Sequence, residues 1–457
     1  MSMKYSEAIE YLLGLVDLER QTLRLPRQKR IYDLRRMARF LEMIDSPQEK
    51  VPAIHVAGTK GKGSTSAMVD SVLHAAGYRT GFYSSPHMHS FRERIRLDTA
   101  PVSEEAFAFL VQSLAPAARR LADETDMGDA TLFEFMTGMA FHCFARAAAD
   151  FQTIEVGLGG RLDATNVVEP AVCAITSVSL DHMGILGETI SEIAAEKAGI
   201  IKAGTPVVVS PQREEAMATI LGVCRERNAP CVRVGTDIRW QEEDSDLHGQ
   251  ALLIEGRQGS YRFRIPLLGS HQGENAATAV GVLECLRERG YQIGEDAIEA
   301  GFAAVNWPCR LEVLDQSPLV VADGAHNVYS METMLESLRK CFDFRKLVLI
   351  AGFSRDKSVA GMVGAMAPLS SVSIASRSRH PRSMAPREVA EALAATGATT
   401  VHEADSVARA LEVARSFANA DDLILGTGSL FVAAELREAV LGIEPEIYPD
   451  LLPADLR

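Results

Sequence analysis

The sequence has few of the features expected of a disulfide-bonded, zinc-binding or membrane protein. Its 457 residues include seven cysteines, an odd number, and none of them forms a C-x-x-C pair. Scattered cysteines are typical of reduced thiols in a cytosol rather than of a disulfide framework or a zinc site. No apolar run approaches the length of a bilayer span, and the acid-containing stretch 1–20 is typical of an amphipathic helix rather than of a signal peptide. We therefore predict a cytoplasmic protein without a membrane partner.

Positive charge is also scarce. Lysine and arginine number 47 against 61 aspartates and glutamates, which gives a formal net charge of −14. Broad nucleic-acid binding needs a basic face that displaces counterions from phosphates, so we expect no nucleic-acid partner. A small anionic ligand held by a few local cations remains compatible with this charge.

What the sequence does contain is an alternation of short apolar runs and longer segments with helical periodicity. Apolar runs without internal alternation, separated by helices, indicate a parallel sheet buried on both faces. From 233 to 266 the pattern becomes alternating and charged, which predicts a small antiparallel sheet at the edge of the first domain, and a helix is expected over 274–289. The predicted strands of this part are 53–58, 80–85, 153–158, 172–180 and 206–210, with predicted helices at 64–76, 103–121 and 132–149.

A glycine-rich loop, HVAGTKGKGSTSAM (55–68), lies between a predicted strand and a predicted helix. Its glycines allow backbone N–H groups to converge on an anion, and a helix starting at Ser64 would add its dipole. Gly63 breaks the usual P-loop spelling, and Lys60 and Lys62 compete for the phosphate role. The alternative is a glycine-rich turn with incidental lysines, which the strand–loop–helix context disfavours.

A second series of strands and helices begins after residue 305 and follows a proline stop in AAVNWP (303–308). A chain of this length is too long for one core, so two domains are expected. We predict an α/β protein with a P-loop-containing, mostly parallel sheet domain over 1–305 and a smaller Rossmann-like α/β domain over 306–457.

Polar residues at the ends of neighbouring strands are the next candidates, because open α/β sheets place their ligands there. Glu155 interrupts an apolar strand, where it either caps a loop or holds a cation. His182 is an unusual ligand for magnesium, which prefers oxygen donors, and a packed histidine is the alternative. Ser84 and Ser85 supply hydroxyl oxygens at a third strand end, and Lys197, taken alone, is typical of a solvated helix lysine.

The second domain contributes two further candidates. The loop DGAHN (323–327) follows an apolar strand and is able to hold ribose hydroxyls or a polar substrate. Arg310 lies just after the domain boundary, where an arginine can move onto a phosphate as two domains close.

Ten strings occur together in a fixed order: HVAGTKGKGST, YSSPH, FRERIRLD, TLFEFMT, EVGLGGRLDATNV, SLDHMGILGETISEIAAEKAGIIK, GSHQGENAATA, WPCRLEVL, DGAHN and GSL. This set resembles the folylpolyglutamate synthase/dihydrofolate synthase branch of the Mur ligase superfamily, from about residue 50 to 432. The strings over 155–166 and 179–202 are the most specific. The resemblance implies a Mur ligase-type ATP-binding central domain followed by a glutamate-ligase domain, and a monomer.

Three spellings depart from the family pattern. Lys60 stands where the loop typically has asparagine, while Lys62 holds the family's lysine position. Cys309 replaces a glycine before Arg310. The stretch 22–37 lacks the leucine-glycine-leucine-glutamate-arginine string that helps bifunctional members to bind dihydropteroate, so the resemblance favours polyglutamylation over dihydrofolate synthesis.

By resemblance, the substrates are ATP, folate and L-glutamate, and the cofactor is Mg²⁺. The catalytic positions would be Lys62, Lys197, Arg310 and His326. The ATP-binding positions would be Gly58, Thr59, Lys60, Gly61, Lys62, Gly63, Ser64, Asn275, Arg310 and Asp323. The magnesium positions would be Ser84 or Ser85, Glu155, His182 and Lys197, the last as a carbamate. The folate positions would be Thr131, Phe133, Glu134, Arg161, Leu162, Asp163 and Ala164, and the weaker glutamate positions His326 and Ser429.

Two alternative functions share parts of this pattern. A Mur ligase acting on a muropeptide would have the same loop and carbamylated lysine, but it would normally carry an additional N-terminal uridine-nucleotide domain. A non-catalytic nucleotide-binding module would be expected to lack Glu155, Lys197 or Arg310, and all three are present.

Overall fold

Among the described residues, two α-helices precede the first strand, and the apolar runs that follow them form one large sheet. The computed structural model describes residues 2–17, 33–355, 359–398, 400–449 and 452–453. Of the stretch 22–37, residues 22–32 therefore lie outside the described residues. The elements up to residue 233 are α1 (Tyr5–Leu13), α2 (Leu34–Glu42), β1 (Ala53–Ala57), α3 (Lys62–Ala75), β2 (Thr80–Tyr83), β3 (Ile95–Leu97), β4 (Ala100–Pro101), α4 (Glu104–Glu124), α5 (Leu132–Arg146), β5 (Phe151–Glu155), β6 (Pro170–Ile175), α6 (Met183–Leu186), α7 (Ile190–Ala198), β7 (Val207–Val209), α8 (Glu214–Glu226) and β8 (Cys231–Arg233).

This sheet has the strand order β4-β3-β2-β5-β1-β6-β7-β8. The strands β2, β5, β1, β6, β7 and β8 are paired in parallel in that order. β3 and β4 extend the sheet as an antiparallel edge beside β2. Every residue of β1, β5 and β6 is buried, as expected for strands covered by helices on both faces. Parallel pairing brings the carboxyl ends of β2, β5, β1 and β6 to one edge of the sheet, where the candidate residues lie.

The alternating segment after residue 233 forms the predicted antiparallel sheet, in the order β11-β10-β9. It packs with α3 and two further helices into one apolar cluster that includes Val72, Phe263 and Val280. The elements of this part are β9 (Arg239–Asp246), β10 (Gly249–Glu255), β11 (Ser260–Ile265), α9 (Ser270–Glu288) and α10 (Glu295–Ala304).

The second domain is built on a separate sheet with the order β12-β13-β17-β14-β15-β16, in which only the edge strand β12 is antiparallel. Both sheets carry helices between parallel strands, so the predicted α/β class is confirmed. The elements of the second domain are β12 (Glu312–Gln316), β13 (Leu319–Ala322), α11 (Val328–Cys341), β14 (Leu347–Ala351), α12 (Val359–Met366), β15 (Ser370–Ala375), α13 (Pro386–Ala395), β16 (Val401–Glu403), α14 (Val407–Phe417), β17 (Leu423–Thr427) and α15 (Leu430–Leu441).

Several element boundaries near the candidate site differ from those predicted. β2 ends at Tyr83 rather than at residue 85, and β5 ends at Glu155 rather than at residue 158, so Glu155 ends its strand instead of interrupting it. β6 ends at Ile175 rather than at residue 180, so a loop separates the strand from His182. α3 begins at Lys62 rather than at Ser64, which places Lys62 itself in the first helical turn. Across the part of the chain that the structure describes, no helix combines the length with the apolar character that a membrane crossing requires.

Candidate active site

The loop between β1 and α3 has the geometry of an anion cradle. Gly61 caps α3 with a positive φ of 87°, and a Cβ at this position would lie 2.2 Å from Oδ1 of the buried Asn275. A Cβ on Gly63 would lie 2.5 Å from the Trp307 ring. No side chain caps the first turn of α3 within the described residues, so its amide groups and the helix dipole are directed at the loop. Glycine is therefore required at both positions, and Asn275 belongs to the same site.

Glu155 lies beside this loop, at the carboxyl end of β5. Its side chain is buried, and its Oε1 lies 3.9 Å from the Lys62 ammonium. Burial raises the pKa of Glu155, and the charges of Lys62 and Arg310 oppose this shift. The other carboxylate oxygen, Oε2, has no hydrogen-bond partner among the described residues. A buried carboxylate oxygen without a partner is suited to a hard cation such as Mg²⁺.

The remaining predicted metal positions surround this edge of the sheet in different ways. Ser84 is buried directly after β2, and Ser85 faces the large cavity described below. His182 is the N-cap residue before α6, with a φ of 51°. Its imidazole lies 3.8 Å from the Asp181 carboxylate, and its side chain is 41% exposed. Within the described residues, no three His, Cys, Asp or Glu side chains are clustered so that they could hold a metal ion. Glu155 with a serine hydroxyl is therefore the part of this set that fits magnesium best.

Lys197 is not the solvated helix lysine that its sequence context alone indicates. It lies in the last turn of α7, its side chain is buried, and its ammonium donates a hydrogen bond to the Gly58 carbonyl at 3.0 Å. Burial, and after it the charge of Lys62, lower the pKa of Lys197 to about 7. A substantial fraction of this amine is therefore uncharged near neutral pH.

The second domain places Asp323, Arg310 and His326 opposite the glycine-rich loop between β1 and α3, which is called the phosphate loop below. Asp323 follows β13 and is buried, and its carboxylate accepts backbone N–H groups from Leu311 at 3.0 Å and Ala325 at 2.8 Å. Burial raises the pKa of Asp323, and the Arg310 guanidinium opposes that rise. The imidazole of His326 lies 3.1 Å from the Lys60 ammonium, across the domain boundary.

The backbone conformation of Cys309, which stands where the family has a glycine, is unusual. Its φ is 59°, in the left-handed region where glycine is favoured because it has no Cβ. The Cys309 side chain is nevertheless fully buried. A glycine at this position would relieve backbone strain but would remove the buried apolar contacts of the cysteine. Glycine and cysteine therefore stabilise the fold here in different ways.

A cavity of about 340 Å³ opens between the two domains next to these residues. Six of the predicted folate positions line it, and so do Ser85 and His182. The second domain and the C-terminal segment contribute residues that were not predicted. The predicted positions are Thr131, Leu162, Asp163, Ala164, Phe133 and Glu134, and the unpredicted ones include Arg379, His380, Arg382, Phe431, Glu435 and Pro445–Tyr448.

Phe133 presents a half-buried ring to this cavity from the first turn of α5. A Cβ on Gly157 would lie 2.5 Å from the Phe133 ring, so the ring is packed closely against the glycine backbone. The Tyr83 ring supports it, with a centroid distance of 6.0 Å. Phe133 is thereby held rigidly and offers an aromatic surface to a flat ligand.

Asp163 and Ser429 are held in place mainly by local backbone contacts. The Asp163 carboxylate accepts hydrogen bonds from the N–H groups of Leu158 at 2.8 Å and Thr165 at 3.0 Å. Ser429 is buried and caps α15 by accepting the Phe431 N–H at 3.2 Å. These contacts shape the loops at the site.

Two of the predicted folate positions are engaged in ion pairs. The Arg161 guanidinium donates to Glu196 at 2.8 Å on the surface, and Arg161 does not line the cavity. Glu134 accepts two hydrogen bonds from Arg36, both at 2.9 Å, in a pair whose side chains are 7% and 8% exposed. It also accepts the backbone N–H of Thr131, which fixes the start of α5.

This arrangement predicts a structural role for Glu134. Replacing it with alanine removes the carboxylate that pairs with the buried Arg36 guanidinium, and we expect the free energy of unfolding to fall by about 3–5 kcal/mol. Urea titration followed by circular dichroism measures the change. Glu124→Ala is the matched control, because that glutamate pairs with Arg120 on the surface of α4, and little change is expected there. Equal stability of the two variants would contradict the assignment.

Comparison with known proteins agrees with this geometry. The chain matches the Mur ligase middle domain over residues 56–283 and the Mur ligase, glutamate ligase domain over residues 309–430. The phosphate loop, the buried carboxylate beside it and the two α/β domains thus define a nucleotide-binding protein with the Mur ligase architecture.

Individual relatives indicate which family of Mur ligases the chain belongs to. The dihydrofolate synthase/folylpolyglutamate synthase of Bacillus subtilis is 34% identical over 408 residues, which cover 89% of this chain and 94% of that protein. The crystal structure of Mycobacterium tuberculosis folylpolyglutamate synthase complexed with ADP and AMPPCP superposes with a TM-score of 0.85 at 34% identity, over 91% of this chain and 96% of that one. Escherichia coli FolC in complex with DHPP and ADP gives 0.82 at 30% identity, over 96% and 98%. The chain belongs to the folylpolyglutamate synthase/dihydrofolate synthase family of Mur ligases, which confirms the resemblance found in its motifs.

Proposed function

We propose that this protein is an ATP-dependent ligase that joins L-glutamate to the γ-carboxylate of a folate, with tetrahydrofolate as the principal substrate. The observation that carries the proposal is the position of the cavity. It lies between the two domains, it presents the Phe133 ring to a flat ligand, and it reaches His182 and Ser85 at the edge of the sheet that carries the phosphate loop. A molecule with an aromatic ring at one end and a carboxylate at the other fits such a cavity.

The chemistry follows from the weakness of a carboxylate as an electrophile. Transfer of the γ-phosphoryl group of ATP to the γ-carboxylate forms an acyl phosphate and releases ADP. The amino group of L-glutamate then attacks the acyl carbon, and inorganic phosphate leaves as the amide bond forms. The tasks left to the protein are positioning and neutralisation of charge.

Each part of the site has a task in this scheme. The amide groups around Gly61 and the Lys62 ammonium would bind the ATP phosphates, and Arg310 would add positive charge from the second domain. Glu155 and a serine hydroxyl would hold Mg²⁺, which neutralises phosphate charge when it is bound. Folate and L-glutamate would occupy the cavity between the domains, with His326 on the glutamate side.

Lys197 would complete the metal site as a carbamate. An uncharged amine adds to carbon dioxide, loses a proton and becomes an anionic carbamate with two oxygen donors. The burial of Lys197 and its pKa of about 7 favour the uncharged form that this reaction needs. The hydrogen bond of the unmodified amine to the Gly58 carbonyl supports a position for the carbamate beside the phosphate loop.

The direct test is phosphate release from ATP in the presence of tetrahydrofolate and L-glutamate, with each component omitted in turn. We expect release that depends on all three. The bifunctional name of the Bacillus subtilis relative makes dihydropteroate the second candidate substrate, and a parallel assay with dihydropteroate measures that activity. Absence of glutamate-dependent release with every folate tested would refute the proposal.

Phe133 is expected to determine folate affinity. We expect Phe133→Ala to raise the KM for tetrahydrofolate by about tenfold, since loss of one aromatic stacking contact costs roughly 1–3 kcal/mol. The KM for ATP should change little. Phe109→Ala, which removes a partly exposed ring of α4 that does not line the cavity, serves as the control. An unchanged folate KM in Phe133→Ala would exclude stacking on this ring.

A further inference from the structure

Lys60 connects the phosphate loop of the first domain to the DGAHN loop of the second. Its ammonium lies 3.3 Å from Oδ2 of Asp181 and 3.1 Å from Nε2 of His326. The same Asp181 oxygen accepts a hydrogen bond from the Asn327 amide at 2.9 Å. The two domains are thus joined through polar contacts among Lys60, Asp181, His326 and Asn327. The Lys60 and Asp181 side chains are mostly shielded from solvent, which strengthens their electrostatic interaction.

The hydrogen bonds of His326 define its tautomer. Its Nδ1 lies 2.8 Å from the Gly324 carbonyl oxygen, and a carbonyl can only accept a hydrogen bond. Nδ1 therefore carries the proton. The lone pair of Nε2 is then directed at the Lys60 ammonium, which can only donate. Lys60 and Gly324 together fix both the rotation and the protonation pattern of the imidazole.

The length of the lysine side chain is what makes this contact possible. The amide of an asparagine ends two bonds closer to the backbone than a lysine ammonium does, and it carries no charge. An asparagine at position 60 would reach neither His326 nor Asp181 from the same backbone position. The lysine at this position thus creates a contact between the domains that the family's usual residue does not make.

We propose that Lys60 is a positioning residue, which orients His326 and through it L-glutamate relative to the phosphate loop. The inference rests on the proposed function, because it assigns His326 to the glutamate side of the site. Lys62, two residues later, lies near Glu155 instead. One short loop would thus align the two halves of the proposed reaction. In this proposal Lys60 acts through His326 rather than on the ATP phosphates, in place of the ATP-binding role that the family resemblance implies.

The first test separates the KM values of the two substrates. We expect Lys60→Asn to raise the KM for L-glutamate by about tenfold and to alter the KM for ATP by less than about twofold, because it removes orientation on the amino-acid side only. Lys50→Asn, the same substitution at an exposed lysine on the surface, should leave both values unchanged. A rise in the ATP KM equal to that for glutamate would overturn the proposal.

A double-mutant cycle tests whether Lys60 acts through the histidine. In a His326→Ala background, Lys60→Asn should change the glutamate KM by less than about twofold, because the group it orients is already gone. The same fold-increase in both backgrounds would show that Lys60 acts independently of His326, and the proposal would be wrong.

Nitrogen-15 NMR of the histidine side chains supplies a readout that does not need turnover. The His326 signal, assigned by its loss in His326→Ala, should show a protonated Nδ1 in the wild type. In Lys60→Asn the resonance of Nε2 should shift, because the ammonium no longer donates a hydrogen bond to that nitrogen. An unchanged signal in Lys60→Asn would overturn the proposal. If the wild type lacks glutamate-dependent turnover, the proposed function fails, and the NMR experiment still decides whether Lys60 orients His326.

Discussion

Replacing Lys62 with alanine is expected to abolish glutamate-dependent phosphate release. Lys62 lies in the first turn of α3, where its ammonium and the surrounding amide groups face one site, and its charge is close to Glu155. Loss of one preorganised charge at a transferring phosphoryl group lowers kcat by on the order of 10³-fold. The initial rate at saturating ATP, folate and L-glutamate measures the effect.

Lys60→Asn is the natural comparison for Lys62→Ala, because both lysines belong to the same loop. The Lys60 variant should retain most of its activity at saturating L-glutamate, since Lys60 contacts Asp181 and His326 rather than Glu155. Similar losses in the two variants would show that the loop does not divide its tasks between the lysines in this way. Circular dichroism of both proteins checks that the fold is intact.

Lys197→Ala is expected to lower activity by on the order of 10²–10³-fold, because losing a metal ligand removes several kcal/mol of charge stabilisation. Added short-chain carboxylates such as acetate or propionate should restore part of it, since they return an anionic oxygen to the space that the side chain leaves. The same carboxylates should not restore Lys62→Ala, which lacks a cation. An unmodified, well-ordered lysine in a magnesium-bound crystal structure would contradict the carbamate.

The pH dependence of the wild type follows from the same residue. Because the pKa of Lys197 is lowered to about 7, its amine becomes protonated as the pH falls through 7, and a protonated amine does not react with carbon dioxide. Activity should therefore decline on the acid side of neutrality. It should recover when the pH is raised again and bicarbonate is supplied. In Lys197→Ala rescued by acetate, this dependence on bicarbonate should disappear.

Much of the first domain could be predicted from local patterns, for physical reasons. Buried parallel strands such as β1, β5 and β6 must be apolar along their length, so their runs are visible in the sequence. The phosphate loop was recognisable from its glycines. Gly61 and Gly63 must be glycines because the structure leaves no room for a Cβ at either position. The end of β6 was less predictable, since Val178 and Leu180 continue the apolar pattern beyond Ile175 into a loop, where Val178 is buried and Leu180 is exposed.

The side chains that complete the cavity could not be predicted in the same way. Arg379 and Phe431 reach it from the second domain, and Tyr448 reaches it from the C-terminal segment. No local pattern announces such contacts, because they depend on how the domains pack. The family resemblance grouped Glu134 and Arg161 with Phe133. The structure keeps Glu134 at the cavity, where it pairs with Arg36, but it pairs Arg161 with Glu196 on the surface, away from the cavity.

Lys197 illustrates a different limit. Its sequence context is that of an ordinary helix lysine, and only the family resemblance pointed to a functional role. The structure supplies the physical reason in its burial and its position beside Gly58. Burial of a single side chain near the end of a helix depends on its neighbours in the fold, here the phosphate loop.

The most direct measurement follows phosphate release and the mass of the folate in one reaction with ATP, Mg²⁺, tetrahydrofolate and L-glutamate. The account predicts that each phosphate released is matched by one glutamyl residue added in γ-linkage to the folate, and that omission of L-glutamate stops sustained release. Phosphate release without any increase in folate mass, or release that is indifferent to L-glutamate, would contradict it.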